Sequence, residues 1–185
     1  MGKYSARNDE GKHRVGDDDP VAIALLKHDH HRFRALFDGA SEAEGDALVA
    51  VARELCMRLS VHMTIEEELL YPALKPVIGA DEIDEGIVEH DAGKKLIVEL
   101  DNLDGTEELY GAKVHVLGEQ TVHHIDEEDE DMFEDAKAAH AAGRVDLDAL
   151  GLQMEARQDE LYAAIAATGD EGETEEADAE EIPTA

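Results

Sequence analysis

Apolar residues recur along this chain at steps of three and four, which is the spacing of one face of an α-helix. The first such stripe consists of Ile23, Leu26, His30, Phe33 and Phe37. Similar stripes follow, and together they predict five helices, at 20–38, 46–75, 81–102, 106–141 and 146–167. No segment alternates apolar and polar residues for long, so we expect no β-sheet.

Turn-forming residues separate these stripes. Asp17-Asp18-Asp19-Pro20 predicts the start of the first helix, because acids cap a helix and proline fits its first position. We expect Gly39 to break that helix, and Pro72 to kink the second helix or end its regular part. The fold class is therefore all-α: an up-and-down antiparallel four-helix bundle with an additional C-terminal helix.

The chain divides into three regions of different composition. Residues 1–17 are polar and patternless, and we expect a flexible N-terminal segment. Residues 18–168 contain all five predicted helices and form the bundle domain. Residues 169–185 are acidic and of low complexity, with eight acids and no base between 170 and 181, so we expect a disordered tail.

Each of the four long helices carries a histidine on its apolar stripe: His30, His62, His90 and His124. Two of these helices add a glutamate one helical turn later, Glu66 and Glu128. Residues four apart on a helix point the same way, so a bundle would bring all six side chains together at its axis. Imidazoles with carboxylates suit iron, manganese or zinc, and the sequence therefore indicates a metal site.

An internal repeat distinguishes these histidine–glutamate pairs from others with the same spacing. HMTIEEELLYP (62–72) and HIDEEDEDMFE (124–134) both place an aromatic residue, Tyr71 or Phe133, five positions after the glutamate. Two other pairs have the His-x-x-x-Glu spacing without that aromatic residue: His115/Glu119 and His123/Glu127.

The histidines of the first and third helices repeat as well. HHRFRALF (30–37) aligns with HDAGKKLI (90–97), and in each segment an apolar pair follows the histidine by six and seven residues. The chain therefore looks like two copies of one helical hairpin, each with a similar half-site. Four buried histidines without metal are the alternative, but facing imidazoles without partners are costly to bury.

These segments resemble the hemerythrin-like, HHE-type cation-binding family. The resemblance covers residues 20–165, and it is carried by DHH (29–31), ALF (35–37), HMTIEEELLYPAL (62–74), EHD (89–91) and HHIDEEDEDMF (123–133). The segment LGLQMEARQDEL (150–161) is similar to the family's C-terminal extension. The resemblance implies an oxo- or hydroxo-bridged di-iron centre in a four-helix bundle, with manganese or zinc as alternative metals.

On this resemblance, six residues take the ligand positions: His30, His62, Glu66, His90, His124 and Glu128. His30 and His62 would share one iron, His90 and His124 would share the other, and the two glutamates would bridge. Lys94 departs from the pattern, since the oxygen-carrying hemerythrins have a further histidine at this place. The site would therefore keep more open coordination, which suits reaction with peroxide, oxygen or nitric oxide.

Several neighbouring residues have two interpretations each. Tyr71 either packs below the metal-bearing turn or takes part in redox chemistry or ligation. His31 and His123 lie to the side of the ligand face, so they are surface or outer residues unless they reach inward as ligands. Asp29 and Glu89, each directly before a histidine, either orient a neighbouring imidazole or face solvent.

Charge limits the possible partners. The 185 residues carry a net charge of −31, which repels nucleic acid and anionic membrane surfaces and excludes both. No apolar run approaches the length of a membrane span, and the first residues lack the apolar core of a signal peptide. Cys56 is the only cysteine, so no internal disulfide is expected. We expect a cytoplasmic protein that acts on a small molecule, and the sequence identifies no protein partner.

Three functions of different classes fit these observations. The first is a non-heme di-iron enzyme that disproportionates hydrogen peroxide in a catalase-like reaction. The second is a module that binds or senses oxygen, nitric oxide or iron without turnover. The third is an acidic helical bundle with incidental histidines, which would bind no metal.

Overall fold

The computed structural model describes the backbone of residues 19–176 and the side chains of residues 19–168. Within this part of the chain all regular structure is helical, as predicted. The α-helices are α1 Val21–Glu42, α2 Gly45–Ile65, α3 Tyr71–Ile78, α4 Asp81–Asp101, α5 Tyr110–Glu127, α6 Phe133–Ala141 and α7 Leu147–Glu176. The N-terminal segment 1–17 and residues 177–185 of the predicted tail lie outside the described residues.

Helix α1 is longer than predicted. It begins after Pro20, as expected, but it continues through Gly39 instead of breaking there. Ala40 is buried and joins the core, so packing outweighs the roughly 1 kcal/mol that a glycine costs inside a helix. The chain leaves α1 at Ala43 and enters α2 at Gly45, whose φ of 55° lies in the left-handed region.

Two π-helical turns interrupt the long helices, and the sequence pattern did not predict them as such. Glu66–Leu70 joins α2 to α3, and Glu128–Met132 joins α5 to α6. Pro72 follows the first turn, where regular helix resumes, and it lacks the N–H that an uninterrupted helix would use. Proline is not the general cause, because Glu134 occupies the equivalent place after the second turn. Such turns are frequent at functional sites.

Four helices pack in a ring and a fifth lies outside it. In the ring, α1 contacts α2 and α5, and α4 contacts the same two helices. Helix α7 packs along α1 and α2. The approach of α7 to α1 is close at Gly151, where a Cβ atom would lie 2.4 Å from the backbone nitrogen of Ala22. A glycine is therefore required at this contact.

The buried apolar residues form two clusters. The main members of the first apolar cluster are Ile23, Leu26, Ile65, Leu70, Tyr71, Leu74, Ile83, Met132, Phe133, Leu147 and Met154. The main members of the second apolar cluster are Phe33, Phe37, Leu55, Cys56, Leu59, Met63, Ile97, Leu100, Tyr110, Val114 and Leu117.

A layer of polar residues separates the two clusters. Along α1 the chain passes from the first cluster through His30 to the second, and along α2 it passes back through His62 to the first. Along α4 the chain again passes from the first cluster through His90 to the second. From α5 it returns through His124 to the first cluster. Each of these helices thus carries a histidine at the same level. Within the described residues, no helix has the length and apolar character needed to cross a membrane.

Candidate metal centre

The six residues predicted as ligands lie together in this polar layer. They are the buried polar residues between the two apolar clusters: His30, His62, Glu66, His90, His124 and Glu128. The most exposed of them is His124, at 7% of its full surface. Charged groups are rarely buried this deeply unless they are paired or bind a metal.

The Nε2 atom of each histidine points toward a glutamate carboxylate at the centre. His62 Nε2 lies 3.2 Å from Glu66 Oε1, and His90 Nε2 lies 3.4 Å from Glu66 Oε2. His30 Nε2 and His124 Nε2 lie 3.3 Å and 3.6 Å from Glu128 Oε2. Each glutamate therefore stands between two histidines, one from each half of the repeat.

The candidate ligand atoms form two overlapping groups, and within each group they lie within 4.8 Å of one another. One group contains His30, His62, Glu66 and Glu128, and the other contains Glu66, His90 and His124. Glu66 belongs to both groups through its two oxygens. In the second group His90 Nε2 and His124 Nε2 are 3.0 Å apart, a separation compatible with two ligands of one ion.

Several of these atoms are buried without a hydrogen bond. They are Nε2 of His30 and His62, both carboxylate oxygens of Glu66, and Oε2 of Glu128. Each buried unsatisfied polar atom costs about 1–3 kcal/mol. Cations bound in the two groups would satisfy these five atoms, so the residues fit a metal centre.

The Nδ1 atom of each histidine faces a second carboxylate on its outer side. Asp29 Oδ2 lies 3.4 Å from His62 Nδ1, and Glu89 Oε2 lies 2.8 Å from His124 Nδ1. These are the two acids for which the sequence left an orienting role open. Such carboxylates fix the ring tautomer and turn Nε2 toward a metal.

The other two carboxylates were not identified from the sequence. Asp129 Oδ1 lies 2.9 Å from His30 Nδ1, and Glu67 Oε1 lies 2.9 Å from His90 Nδ1. Each acid directly follows a glutamate of the central cluster. The repeat aligns Glu67 with Asp129, and this equivalence was the signal that would have found them.

Basic side chains stand behind these two carboxylates. Arg34, four residues after His30, donates to Asp129 Oδ2 at 3.2 Å. Lys94 stands at the equivalent place and donates to both oxygens of Glu67, at 2.6 Å and 2.5 Å. Lys94 is therefore the counterpart of Arg34, because it holds Glu67, the acid that faces His90.

The two aromatic residues of the repeat contact histidines of the opposite half. The Phe133 ring stacks on His30, with centroids 5.5 Å apart. The Tyr71 ring lies 5.4 Å from that of His90, and its hydroxyl donates to Glu128 Oε1 at 3.0 Å. Tyr71 thus both packs and reaches the central cluster. Gly86 leaves room for it, since a Cβ atom there would lie 3.0 Å from the hydroxyl.

The histidines left open by the sequence stay outside the central cluster. His31 is half-buried and, within the described residues, belongs to no group of three candidate ligands. His123 is 66% exposed and lies at the surface with Glu127 and Glu89.

Burial and neighbouring charges pull the pKa values of the cluster in opposite directions. Burial lowers the pKa of His30, but the carboxylates of Asp129 and Glu128 outweigh burial and raise it to about 9. Burial and a neighbouring imidazole lower the pKa of His90 to about 2. Burial and the adjacent Glu128 raise the pKa of Glu66 well above its usual range. Because ligands must be deprotonated to hold a metal, raised pKa values at His30 and Glu66 would make metal binding weaken as the pH falls.

Comparison with known proteins identifies the family. Residues 21–136 match the family model described as the hemerythrin HHE cation binding domain, and this region includes all six clustered residues. No curated protein and no solved structure matches the chain. The family's description as cation-binding agrees with the histidine and glutamate cluster at the centre of the helices. The match spans more than half of the chain, which therefore belongs to the hemerythrin HHE cation-binding domain family.

Proposed function

We propose that this chain holds an oxygen-bridged pair of iron ions and disproportionates hydrogen peroxide in a catalase-like reaction. The observation that carries the proposal is the set of buried nitrogen and oxygen atoms that converge without hydrogen bonds. The mixed imidazole and carboxylate donors suit iron, and they would also accept manganese or zinc. Iron is the choice that the family resemblance favours.

The two groups of candidate ligands suggest how the ions are shared. His30 and His62 would hold one ion, and His90 and His124 would hold the other. Glu66 would bridge, since one of its oxygens faces each pair of histidines. Glu128 would contribute through Oε2, because Tyr71 donates to its other oxygen. Six side chains shared by two ions leave coordination positions for a small oxidant.

When bound, the iron pair would supply Lewis acidity and would relay two electrons from one peroxide, which is oxidised to O₂ and gives up two protons, to a second peroxide, which takes up two protons and becomes two waters. The chain's own residues prepare the site for this. The four outer carboxylates hold the imidazole rings in place. The two apolar clusters above and below exclude bulk water. A surface cavity of about 110 Å³ reaches His124 and Glu128, which is enough for a molecule as small as peroxide.

The proposal includes the topology that holds the site. Residues 18–168 would form one antiparallel up-and-down four-helix bundle, with α7 packed outside it. The alternating sequence of the two clusters along successive helices supports this arrangement.

Metal content and peroxide consumption of the full chain test the proposal. After expression with ample iron, we expect two irons per chain by elemental analysis and one O₂ released for every two peroxides consumed. His124→Ala should abolish both iron retention at its half of the site and turnover. The matched control is His115→Ala, which removes a surface histidine of the same helix that also has a glutamate four residues later. It should change neither.

Three results would contradict the proposal. Reversible spectral change with oxygen or nitric oxide, without peroxide loss, would favour a binding or sensing module. Two zinc or manganese ions in place of iron would keep the centre and contradict the iron assignment. A chain without metal would support the acidic helical bundle.

A further inference from the structure

The central cluster is open to the surface on one side through an acidic cavity. Six carboxylates line this cavity of about 110 Å³: Glu82, Glu85, Glu89, Glu127, Glu128 and Asp131. The outer ones are exposed, Glu89 is half-buried, and Glu128 is buried. His124 also lines the inner wall. The cavity therefore runs from solvent to two residues of the central cluster.

Glu128, a buried residue of the cavity lining, has an unsatisfied oxygen. Glu128 is 1% exposed, and its Oε2 atom makes no hydrogen bond although His30 Nε2 lies 3.3 Å away. A buried carboxylate oxygen without a donor attracts a cation strongly, because burial reduces screening by water. This oxygen, rather than the acidic surface alone, marks the cavity as a route for cations.

A group of three residues with ligand geometry stands at the outer end. His123 Nε2 lies 3.4 Å from Glu127 Oε1 and 4.0 Å from Glu89 Oε1. One ligand atom from each residue falls within 4.8 Å of the others. One imidazole with two carboxylates is a donor set typical of divalent transition metals.

Glu89 connects this surface group to the central cluster. Its Oε1 faces His123, while its Oε2 accepts a hydrogen bond from His124 Nδ1 at 2.8 Å. The carboxylate of Glu89 therefore links the surface group to the central cluster.

In the other half of the repeat the equivalent positions are buried or bonded to α7. Asp29, Val61 and Ile65 occupy the places equivalent to Glu89, His123 and Glu127. Val61 and Ile65 are buried, and α7 packs against their helix. Gln158 of α7 donates to Asp29 at 2.8 Å. The two halves thus differ at equivalent positions. The covered half has the apolar residues Val61 and Ile65, and the exposed half has His123 and Glu127, which are residue types that bind metals.

We propose that Glu89, His123 and Glu127 form a transient binding site for a divalent cation, which passes along the acidic cavity to the central cluster. This inference rests on the proposed function, since the cluster must be a metal centre. Exposure and a set of three ligands make the site weak, as release inward requires. Concentrating cations at a charged cleft raises association rates by about 10–1,000-fold.

The rate of metal loading tests this proposal independently of turnover. The full chain is stripped of metal with a chelator and mixed with cobalt(II), whose visible absorption reports binding to nitrogen and oxygen ligands. In the double variant His123→Ala/Glu127→Gln we expect loading to slow about tenfold, at the lower end of the enhancement given by charged clefts. The final content should stay at two ions per chain.

The control variant makes the same chemical change elsewhere on α5. His115→Ala/Glu119→Gln removes an exposed pair with the same spacing, two helical turns earlier, and alters net charge equally. Its loading rate should equal that of the unaltered chain. A titration provides a second readout: a weak third cobalt(II) equivalent should be present in the unaltered chain and absent from the His123/Glu127 variant.

The outcomes separate the two proposals. Equal loading rates in both double variants would overturn the transient site while leaving the central centre intact. Loss of the two tightly bound ions in the His123/Glu127 variant would also overturn it, because the group would then be part of the centre. Failure of the unaltered chain to bind two cobalt ions would instead contradict the proposed function.

Discussion

The two halves of the repeat share a scaffold but differ in what surrounds it. The first half comprises α1, α2 and α3, and the second comprises α4, α5 and α6, with a π turn at the same place in each. Both halves supply two histidines, a central glutamate, and two acids that face histidine Nδ1 atoms. Even the bases behind these acids correspond, since Arg34 and Lys94 are equivalent.

The differences lie in the covering helix and the aromatic residue. Helix α7 covers the first half and bonds to Asp29 through Gln158, whereas Glu89 of the second half faces a cavity. Tyr71 of the first half brings a hydroxyl to Glu128, whereas Phe133 of the second half brings only a ring to His30. The comparison shows that the two copies keep equivalent candidate ligands, and that they differ in how the cluster is covered and in the group that reaches it.

The largest expected effect concerns the two central glutamates, which are equivalent in sequence and unequal in the structure. Glu66 offers both oxygens, while Glu128 offers one because Tyr71 holds the other. We expect Glu66→Gln to weaken binding of both ions by more than about 100-fold, since loss of even an outer partner costs 10–100-fold. Glu128→Gln should weaken binding less. Chelator competition with elemental analysis measures both, and equal losses would show that the glutamates are interchangeable.

A smaller effect is expected for the acids that orient His30 and His90. Asp129→Asn and Glu67→Gln keep an acceptor for Nδ1 but remove the charge, and each should weaken metal binding about 10–100-fold. The two losses should be similar if the halves match. Asp126→Asn is the control, because Asp126 bonds Arg34 without contacting a histidine of the cluster. Chelator competition should show little change in this control, and a loss as large as that of Asp129→Asn would assign the effect to Arg34 instead.

The helices and the central cluster followed from the sequence because both depend on local spacing. His62 and Glu66 are one turn apart, and the backbone N–H of Glu66 still bonds to the carbonyl of His62. The π turn begins at Glu66, the second residue of this pair, so the α-helical spacing from His62 to Glu66 is kept. The internal repeat then separated these pairs from the surface pairs His115/Glu119 and His123/Glu127.

The remaining features depend on contacts that spacing does not encode. In an uninterrupted α-helix Tyr71, nine positions after His62, would point away from the ligand face. The extra residue of the π turn rotates it by about 100°, and the hydroxyl reaches Glu128. The repeat makes Asp129 and Glu67 equivalent, but it does not tell which histidine each acid faces. Both acids face a histidine of the opposite half, and Gln158 comes from α7, so these pairings follow from the packing of the helices.

The smallest effect is expected where the two halves diverge at the aromatic residue. Tyr71→Phe makes this residue match Phe133 and frees Glu128 Oε1, while all six residues of the central cluster stay in place. We expect the chain to keep two irons, while kcat for peroxide falls about tenfold at unchanged KM, because a hydrogen bond to a carboxylate contributes about 1.5–3 kcal/mol. The absorption spectrum of the loaded chain should also shift, since the carboxylate is no longer held. Gly86→Ala should act in the same direction by displacing the hydroxyl.

The control is Tyr110→Phe, which alters a tyrosine that is equally buried but belongs to the second apolar cluster. If kcat and the spectrum are the same in Tyr71→Phe as in the unaltered chain, the hydroxyl has no influence on the centre and Tyr71 serves only to pack against His90.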